Sequence, residues 1–280
     1  MPRDIPISNG RLMICFDRDY SMRELYYPHV GQENHVLGRF CRLGIWVEEQ
    51  FSWVGPDWNK HLDYLDDTMV TAVTLHHPGL EIRLRCHDAV DFHENVYLKE
   101  ITVENTASRK REVRLFSTLD LGISGNDIGD TAGYDPKTGA VIHYKGARYL
   151  LAGGFGPDAQ GLSQYAVGQK GMAGMEGTFR DAEDGRLSGN PMAQGSVDSV
   201  IAVHMTLEPQ SEATAYFWIA VGSNWFDVER LNSLVKHKHP RGLIQRAEDY
   251  WRLWVRKESP PLQKLPHEVP AVGSMLESTA

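Results

Sequence analysis

The fold is decided by residues 81–136, which read EIRLRCHDAVDFHENVYLKEITVENTASRKREVRLFSTLDLGISGNDIGDTAGYDP. Residues 82–86 alternate apolar and charged side chains, and this period of two is typical of a half-buried strand. Two further runs, 96–103 and 113–121, follow after short polar turns. Consecutive strands joined by short turns predict an antiparallel sheet.

The same stretch ends in a run of glycine, aspartate and other polar residues at 124–136. A polar excursion at the end of a rigid strand is a common place for the binding residues of a β-protein. We therefore predict a binding or entrance loop here, with Asn126, Asp127, Asp130 and Tyr134 as its candidate residues.

The composition excludes several classes of protein. The 280 residues carry a net charge of −8 without a long basic run, which argues against a nucleic-acid partner. No apolar stretch reaches the length of a membrane span, and residues 1–6 lack the apolar core of a signal peptide. Cys15, Cys41 and Cys86 lie in apolar surroundings, which predicts reduced, buried thiols and a cytoplasmic location.

The chain changes character near residue 227. About fifteen strands are predicted before this point and no helix. Asp227 is the predicted N-cap of a helix over 228–236, and Pro240 opens a second helix. In that second helix, apolar residues recur every three or four positions: Leu243, Ile244, Ala247, Trp251, Trp254 and Val255.

These patterns predict a β-sandwich domain over 1–226, linker helices over 227–258, and a linker with a disordered tail over 259–280. The apolar stripe of the second helix must be buried against something. We expect it to fold back on the sandwich or to drive homo-oligomer formation.

No catalytic constellation stands out among the polar residues. Asp127 and Asp130 are interpreted as turn-shaping carboxylates rather than an acid–base pair. Residues 86–94 contain the side-chain types that bind metals, but they lack the paired spacing of a zinc site. We predict no catalytic residues, no metal and no cofactor in this chain.

Aromatic residues offer an alternative function. Trp53 and Trp58 are interpreted as packing residues. A free-standing carbohydrate-binding module would instead use Trp53, Trp58 and Tyr134 to stack on a glucan, beside Asn126 and Asp127.

The amino-acid sequence resembles the bacterial and archaeal glucoamylase-like proteins of glycoside hydrolase family 15. The resemblance covers roughly residues 3–266. It is carried by ordered blocks at 10–12, 16–17, 25–35, 44–47, 51–53, 88–93, 124–131, 181–190, 194–199 and 250–255.

The resemblance implies an all-β fold, a large antiparallel supersandwich similar to galactose-mutarotase-like domains, followed by a linker helix pair. In that family a six-fold (α/α) barrel comes next and carries two glutamates that hydrolyse α-glucosidic bonds with inversion. Residues 269–274 do not continue the family's helical pattern, and prolines at 266 and 270 would break such a helix. The catalytic glutamates therefore have no matching positions here.

The expected function is that of a non-catalytic N-terminal domain of a glucoamylase-like hydrolase. Its partners would be a barrel in cis or in trans and, through the parent enzyme, an α-glucan. The 124–136 loop would help to shape the substrate entrance. A mutarotase-like sugar epimerase is a third possibility that depends on fold analogy alone.

Overall fold

The computed structural model describes residues 5–39, 41–170 and 176–258. The strands of the first half are β1 (Ile5–Ser8), β2 (Met13–Phe16), β3 (Met22–Tyr26), β4 (Leu43–Val47), β5 (Gln50–Trp53), β6 (Asn59–Tyr64), β7 (Thr71–His77), β8 (Ile82–Val90), β9 (Val96–Asn105) and β10 (Arg111–Leu119). The second half contains β11 (Asp130–Asp135), β12 (Ala140–Lys145), β13 (Arg148–Phe155), β14 (Gln164–Gln169), β15 (Met192–Gly195), β16 (Val197–Leu207) and β17 (Glu212–Gly222), then the helices α1 (Trp225–Lys238) and α2 (Pro240–Glu258).

These strands form three antiparallel sheets. A nine-stranded sheet has the order β15-β11-β12-β13-β17-β9-β8-β7-β6, and a five-stranded sheet has the order β14-β16-β10-β4-β5. A small third sheet contains β1, β2 and β3. The predicted all-β sandwich with a C-terminal helix pair is confirmed.

The stretch 81–136 connects the two large sheets. β8 pairs with β9 in the nine-stranded sheet, whereas β10 pairs with β16 and β4 in the five-stranded sheet. The turn at 106–110 therefore carries the chain from one sheet to the other. The alternation correctly predicted the strands, but it could not show that the third belongs to a different sheet.

The core lies between the facing sheets. Leu84, Ile101 and Phe217 of the nine-stranded sheet and Leu115 and Val203 of the five-stranded sheet belong to one continuous buried cluster. Full burial of an apolar side chain of this size contributes about 1.5–3 kcal/mol. The alternating pattern of the strands is therefore explained by two inner faces that exclude water.

The helices cover the outer face of the nine-stranded sheet. Val228 and Leu231 of α1 and Leu243 and Ile244 of α2 are buried in a second apolar cluster with Trp218. The second half of α2 extends beyond this contact, as the 69% exposure of Leu253 and the 48% exposure of Trp254 show. The predicted stripe thus folds back on the sandwich in its first half only.

The start of α1 differs from the prediction. The helix begins at Trp225, and its N-cap is Asn224, whose side chain accepts a hydrogen bond of 3.0 Å from the backbone N–H of Asp227. The Asp227 carboxylate instead accepts a bond from the Ser223 N–H. Both residue types suit an N-cap, so only the backbone geometry distinguishes them. The predicted domain division near residue 227 stays a prediction.

The predicted loop at 124–136 contains a strand. The stretch is a loop only as far as Gly129, since residues from Asp130 onward form β11. β11 has little apolar alternation and is held by ladders to β12 and β15 on both sides. Such pairing is a tertiary effect that local periodicity does not report.

Within these described ranges, neither helix is long and apolar enough to cross a membrane. The predicted tail over 259–280 lies outside the described residues.

Candidate functional site

The loop between β10 and β11 lies at one end of the sandwich. Its tip, residues 124–129, is exposed apart from the half-buried Asp127. Gly125 and Gly129 have φ angles of +83° and +77°, a backbone region that is strained for other residues. The sequence thus builds a sharply turned polar tip on a buried base.

A cluster of four alternating charges pins this loop, and we call Arg39, Asp120, Asp127 and Lys170 the four-charge cluster. Arg39 donates to Asp127, and Lys170 donates to Asp120. The two diagonal pairs, Arg39–Asp120 and Lys170–Asp127, are each separated by 3.9 Å. The side chains are 9–31% exposed, so these pairs are screened less than surface pairs.

Lys145 holds the other side of the loop. Its ammonium donates to the Asn126 side-chain oxygen at 2.7 Å and to the Ile123 carbonyl at 3.0 Å. It also forms an ion pair of 3.0 Å with Asp130, whose carboxylate accepts a bond from the Ile123 N–H. Asn126 and Asp130 are therefore brought together by one cation.

His35 closes the base of the loop. Its Nδ1 lies 3.1 Å from the backbone nitrogen of Ser124, and its carbonyl accepts a bond of 2.9 Å from the Gly122 N–H. Burial lowers the pKa of His35. A neutral ring can accept the Ser124 N–H, which fits this geometry.

The two candidate carboxylates have pKa values that are displaced in opposite directions. Burial disfavours ionisation of Asp127, but the Arg39 hydrogen bond and the Lys170 charge outweigh it and lower the pKa. For Asp130 burial dominates and raises the pKa, although Lys145 and the Ile123 N–H oppose it. Each carboxylate has a cation from its own chain, so the geometry positions the loop rather than presenting a free acid–base pair.

The aromatic candidates do not join this loop tip. Tyr134 is on β11, and its ring stacks on Tyr165 of β14 with centroids 3.9 Å apart. Trp58 is 3% exposed, donates to the Ser52 hydroxyl and has no open face for a ligand. Trp53 packs on Phe51 on the outer side of the five-stranded sheet. These positions give no support to a sugar platform built from Trp53, Trp58 and Tyr134.

A buried Ser–His contact lies deeper in the sandwich. The Ser199 hydroxyl is 2.7 Å from Nε2 of His143, and both residues are 1% exposed. Burial, together with the Lys170 charge, lowers the pKa of His143 to about 3. No substrate reaches this pair, so it is interpreted as a packing contact.

No group of three His, Cys, Asp or Glu side chains in the part of the chain that the structure describes is arranged to hold a metal ion. Residues 86–94 instead contribute Asp88 and Asp91 to separate ion pairs with Lys99 and Arg246.

Sequence reasoning missed Arg39, Lys145 and Lys170. Arg39 and Asp127 are 88 residues apart, and Lys170 is 50 residues from Asp120. No local pattern links such distant charges. The one sequence feature that could have indicated these cations is a lysine or arginine beside the apolar end of a strand. This indication is weak, because most lysines and arginines are solvated.

Exposed apolar side chains surround the loop, and we call this surface the loop end. Glu33 pairs with Arg148 at 2.9 Å, which joins the 28–35 loop to the β12–β13 hairpin, where Lys145 also lies. Exposed apolar residues on the loop, on the segments beside it and at the start of α1 are Val30, Leu37, Ile128, Tyr144 and Phe226. Ile128 and Phe226 are 82% and 75% exposed, which is typical of a contact surface when such residues cluster.

Known proteins are similar to this chain in sequence and in fold. The chain is 24% identical over 204 residues to an uncharacterized glycosyl hydrolase of Methanocaldococcus jannaschii, a match that covers 72% of this chain and 31% of that protein. It also superimposes on a bacterial glucoamylase complexed with acarbose, with a TM-score of 0.70, 10% identity, and coverage of 89% of this chain and 36% of the other. The chain has a glycosyl hydrolase-like fold.

A second solved structure has a similar fold. A putative kojibiose phosphorylase from the human microbiome superimposes with a TM-score of 0.57 and 11% identity, over 91% of this chain and 36% of the other. No protein-family model matches the chain. The chain spans about a third of the length of these relatives. Neither the free-standing binding module nor the mutarotase-like epimerase gains support from the comparisons, and assignment to family 15 stays a prediction.

Proposed function

We propose that this chain is the non-catalytic N-terminal β-domain of a glucoamylase-type glycosyl hydrolase of family 15. Its parent would hydrolyse α-glucosidic bonds in an α-glucan on a separate (α/α) barrel, in cis or in trans. The glucoamylase-like fold over 89% of the chain supports this assignment. The ordered sequence blocks that resemble the family support it independently of the fold.

The main support for the proposal is the loop at 120–130, which ion pairs hold in place within the exposed apolar surface of the loop end. The four-charge cluster and Lys145 fix the backbone of residues 120–130, so the loop does not have to be ordered when a partner arrives. Ile128 projects from the fixed tip and is 82% exposed. A rigid polar tip beside exposed apolar residues suits an edge that borders another domain's substrate entrance.

The carboxylates favour a positioning role over a catalytic one. Asp127 bonds Arg39, and Asp130 pairs with Lys145. Using either as an acid or a base would break an ion pair that holds the loop. The side-chain oxygen of Asn126 is held by Lys145, and the NH2 group of the same side chain at the exposed tip would donate to a sugar hydroxyl at the entrance.

The test is an activity assay of the chain by itself. Purified protein is incubated with maltooligosaccharides, and released glucose is measured for the wild type and for Asp127→Asn. We expect no glucose above the buffer control from either protein. Release by the wild type that the substitution removes would overturn the proposal, because the catalytic group would then be in this chain.

A second test uses the gene and does not require purified protein. The reading frame that follows codon 280, or a neighbouring gene, should encode a helical barrel. A genome in which no such polypeptide exists would contradict a partner in cis or in trans.

A further inference from the structure

A concave site lies beside the exposed half of α2, at the same end of the nine-stranded sheet as the candidate loop but on the β6–β8 side of that sheet, and we call it the α2 cleft. Its volume is about 840 Å³, which is in the usual range for ligand sites. Its walls are the second half of α2, the β6–β7 turn and the turn at 8–10. The side chains that matter here are Asp63, Asp66, Asp67, Tyr250, Trp251 and Trp254.

The aromatic wall is held rigidly. The Tyr250 ring stacks on Phe92 with centroids 4.4 Å apart and planes within 1°. The Arg246 guanidinium lies 5.3 Å from the Phe92 centroid, and its Nε donates to the buried Asp91 carboxylate at 3.1 Å. Trp251 and Trp254 meet edge to face at 6.0 Å. Rings fixed in this way lose little entropy when a ligand packs on them.

The facing wall is also anchored. The Asn9 amide donates to the carbonyls of Asp91 at 2.9 Å and Glu94 at 3.1 Å, which fixes the 8–10 turn. The Tyr64 hydroxyl donates to the Pro6 carbonyl at 2.7 Å. The cleft is therefore formed by the fold itself and does not depend on a ligand to shape it.

The polar groups of the cleft are free to bind. Among the described residues, Asp66 and Asp67 have no hydrogen-bond or ion-pair partner from their side chains, and the Tyr250 hydroxyl and the indole N–H groups of Trp251 and Trp254 have none either. No lysine or arginine of the described part of the chain lines the cleft. Acceptors, donors and aromatic faces thus occur together without a cation.

We propose that the α2 cleft binds a neutral oligosaccharide and holds it near the parent enzyme, an inference that rests on the proposed function. Sugar rings present C–H faces that pack on Trp and Tyr rings, and their hydroxyls both donate to carboxylates and accept from indole N–H groups. The carboxylates at Asp63, Asp66 and Asp67 repel phosphorylated or acidic sugars. Trp254, 48% exposed, supplies the main stacking face.

The experiment is calorimetric titration of the whole chain with maltoheptaose, and with cellohexaose to separate α- from β-linked glucans. Trp254→Ala should weaken binding at least about tenfold, as expected for a central aromatic contact. The matched control is Leu253→Ala, which removes another exposed apolar side chain of α2 that does not line the cleft. Because Asp66 and Asp67 are exposed and unpaired, the double variant D66N/D67N tests the polar contacts without threatening the fold.

Each outcome decides the proposal. Binding that is weakened by Trp254→Ala and by D66N/D67N, but not by Leu253→Ala, supports it. No heat with either glucan at millimolar concentration overturns it, as does binding that Trp254→Ala leaves unchanged. Heat only with an oligolysine peptide, or a dimer in light scattering that Trp254→Ala abolishes, also overturns it, because the cleft would then serve a cationic segment or a second copy.

Failure here is distinguishable from failure of the proposed function. Glucose release by the isolated chain would overturn the proposed function whatever the cleft binds. An inactive chain that binds no glucan would overturn the cleft proposal alone.

Discussion

The Lys145 ammonium lies 3.0 Å from the Asp130 carboxylate and joins the end of β12 to the start of β11. The Asp130 side chain is 2% exposed, whereas Lys145 is 21% exposed. The same ammonium also bonds the carbonyl of Ile123 and the side chain of Asn126. One partly exposed cation therefore fixes the loop that the proposed function depends on.

Replacing this cation should destabilise the protein. Lys145→Met leaves the Asp130 carboxylate buried without its charge partner, and we expect a loss of about 2–4 kcal/mol in the free energy of unfolding. Urea unfolding followed by far-UV circular dichroism measures it. The control is Lys110→Met, which breaks an ion pair with Glu208 whose side chains are both about 60% exposed and should change stability by less than about 1 kcal/mol. Equal midpoints for the two variants would contradict the structural role of Lys145.

Asp130 should make the folded state less stable as pH rises. Its pKa is raised in the folded protein, chiefly by burial, so the folded state binds the proton more tightly than the unfolded chain. Its stabilising contribution is present below the unfolded pKa of about 3.9 and is lost as pH rises through the folded pKa. Urea unfolding of Asp130→Asn at several pH values should therefore lack this loss. A wild type and variant with parallel pH profiles would show that the pKa is not raised.

Asp127, in contrast to Asp130, should make the folded state less stable as pH falls. Its folded pKa is lowered, so its contribution is present above about 3.9 and is lost as pH falls through the folded pKa. Asp127→Asn should have a shallower acid limb than the wild type in the same urea series. The exposed Asp57→Asn serves as the control and should reproduce the wild-type profile. An unchanged acid limb in Asp127→Asn would mean that Arg39 and Lys170 do not stabilise the charged form.

The ion pair of Asp88 and Lys99 is buried in the core and can be tested in the same way as the pair of Lys145 and Asp130. Their side chains are 2.8 Å apart, and Asp88 also accepts hydrogen bonds from Tyr97 at 2.6 Å and Thr71 at 2.8 Å. Asp88→Asn leaves Lys99 charged and unpaired, with an expected cost of about 3–5 kcal/mol. Lys99→Met should cost less, because the hydroxyl donors still satisfy the carboxylate. The order of the two urea midpoints is the measurement, and the reverse order would contradict this account.

The N-cap of α1 can be tested directly. Asn224→Ala removes the acceptor for the Asp227 N–H and should cost about 1 kcal/mol, whereas Asn224→Ser should cost only a few tenths. Thermal and urea unfolding together measure the difference. If both substitutions were neutral, the helix would not depend on this cap.

The candidate site was only partly predictable. The polar run at 124–136 correctly pointed to the loop tip, because glycine and short polar side chains signal turns locally. Asp130 and Tyr134 lie on β11 rather than in an irregular loop, and their role at a binding or entrance site stays a prediction. Arg39, Lys145 and Lys170 could not be found, because their partners lie on other strands and sequence spacing does not give distance across a sandwich.

Trp58 and Trp254 show the same limit for aromatic residues. The sequence predicts burial for both, Trp58 as a packing residue and Trp254 on the apolar stripe of the second helix, yet Trp58 is 3% exposed and Trp254 is 48% exposed. Trp58 lies under a turn at the edge of a sheet, whereas Trp254 is carried beyond the sheet by the length of α2. Exposure depends on where an element ends relative to its neighbours, which periodicity does not specify.

By itself, the sequence determined the all-β class, most strand positions and the helix pair, because side-chain alternation and three- to four-residue spacing follow directly from backbone geometry. Only the tertiary structure decided which sheet β10 joins, that β11 is a strand, and which cations hold Asp127 and Asp130. These features depend on contacts between residues far apart in the chain. Such contacts exist only once the two sheets have packed and brought these segments together.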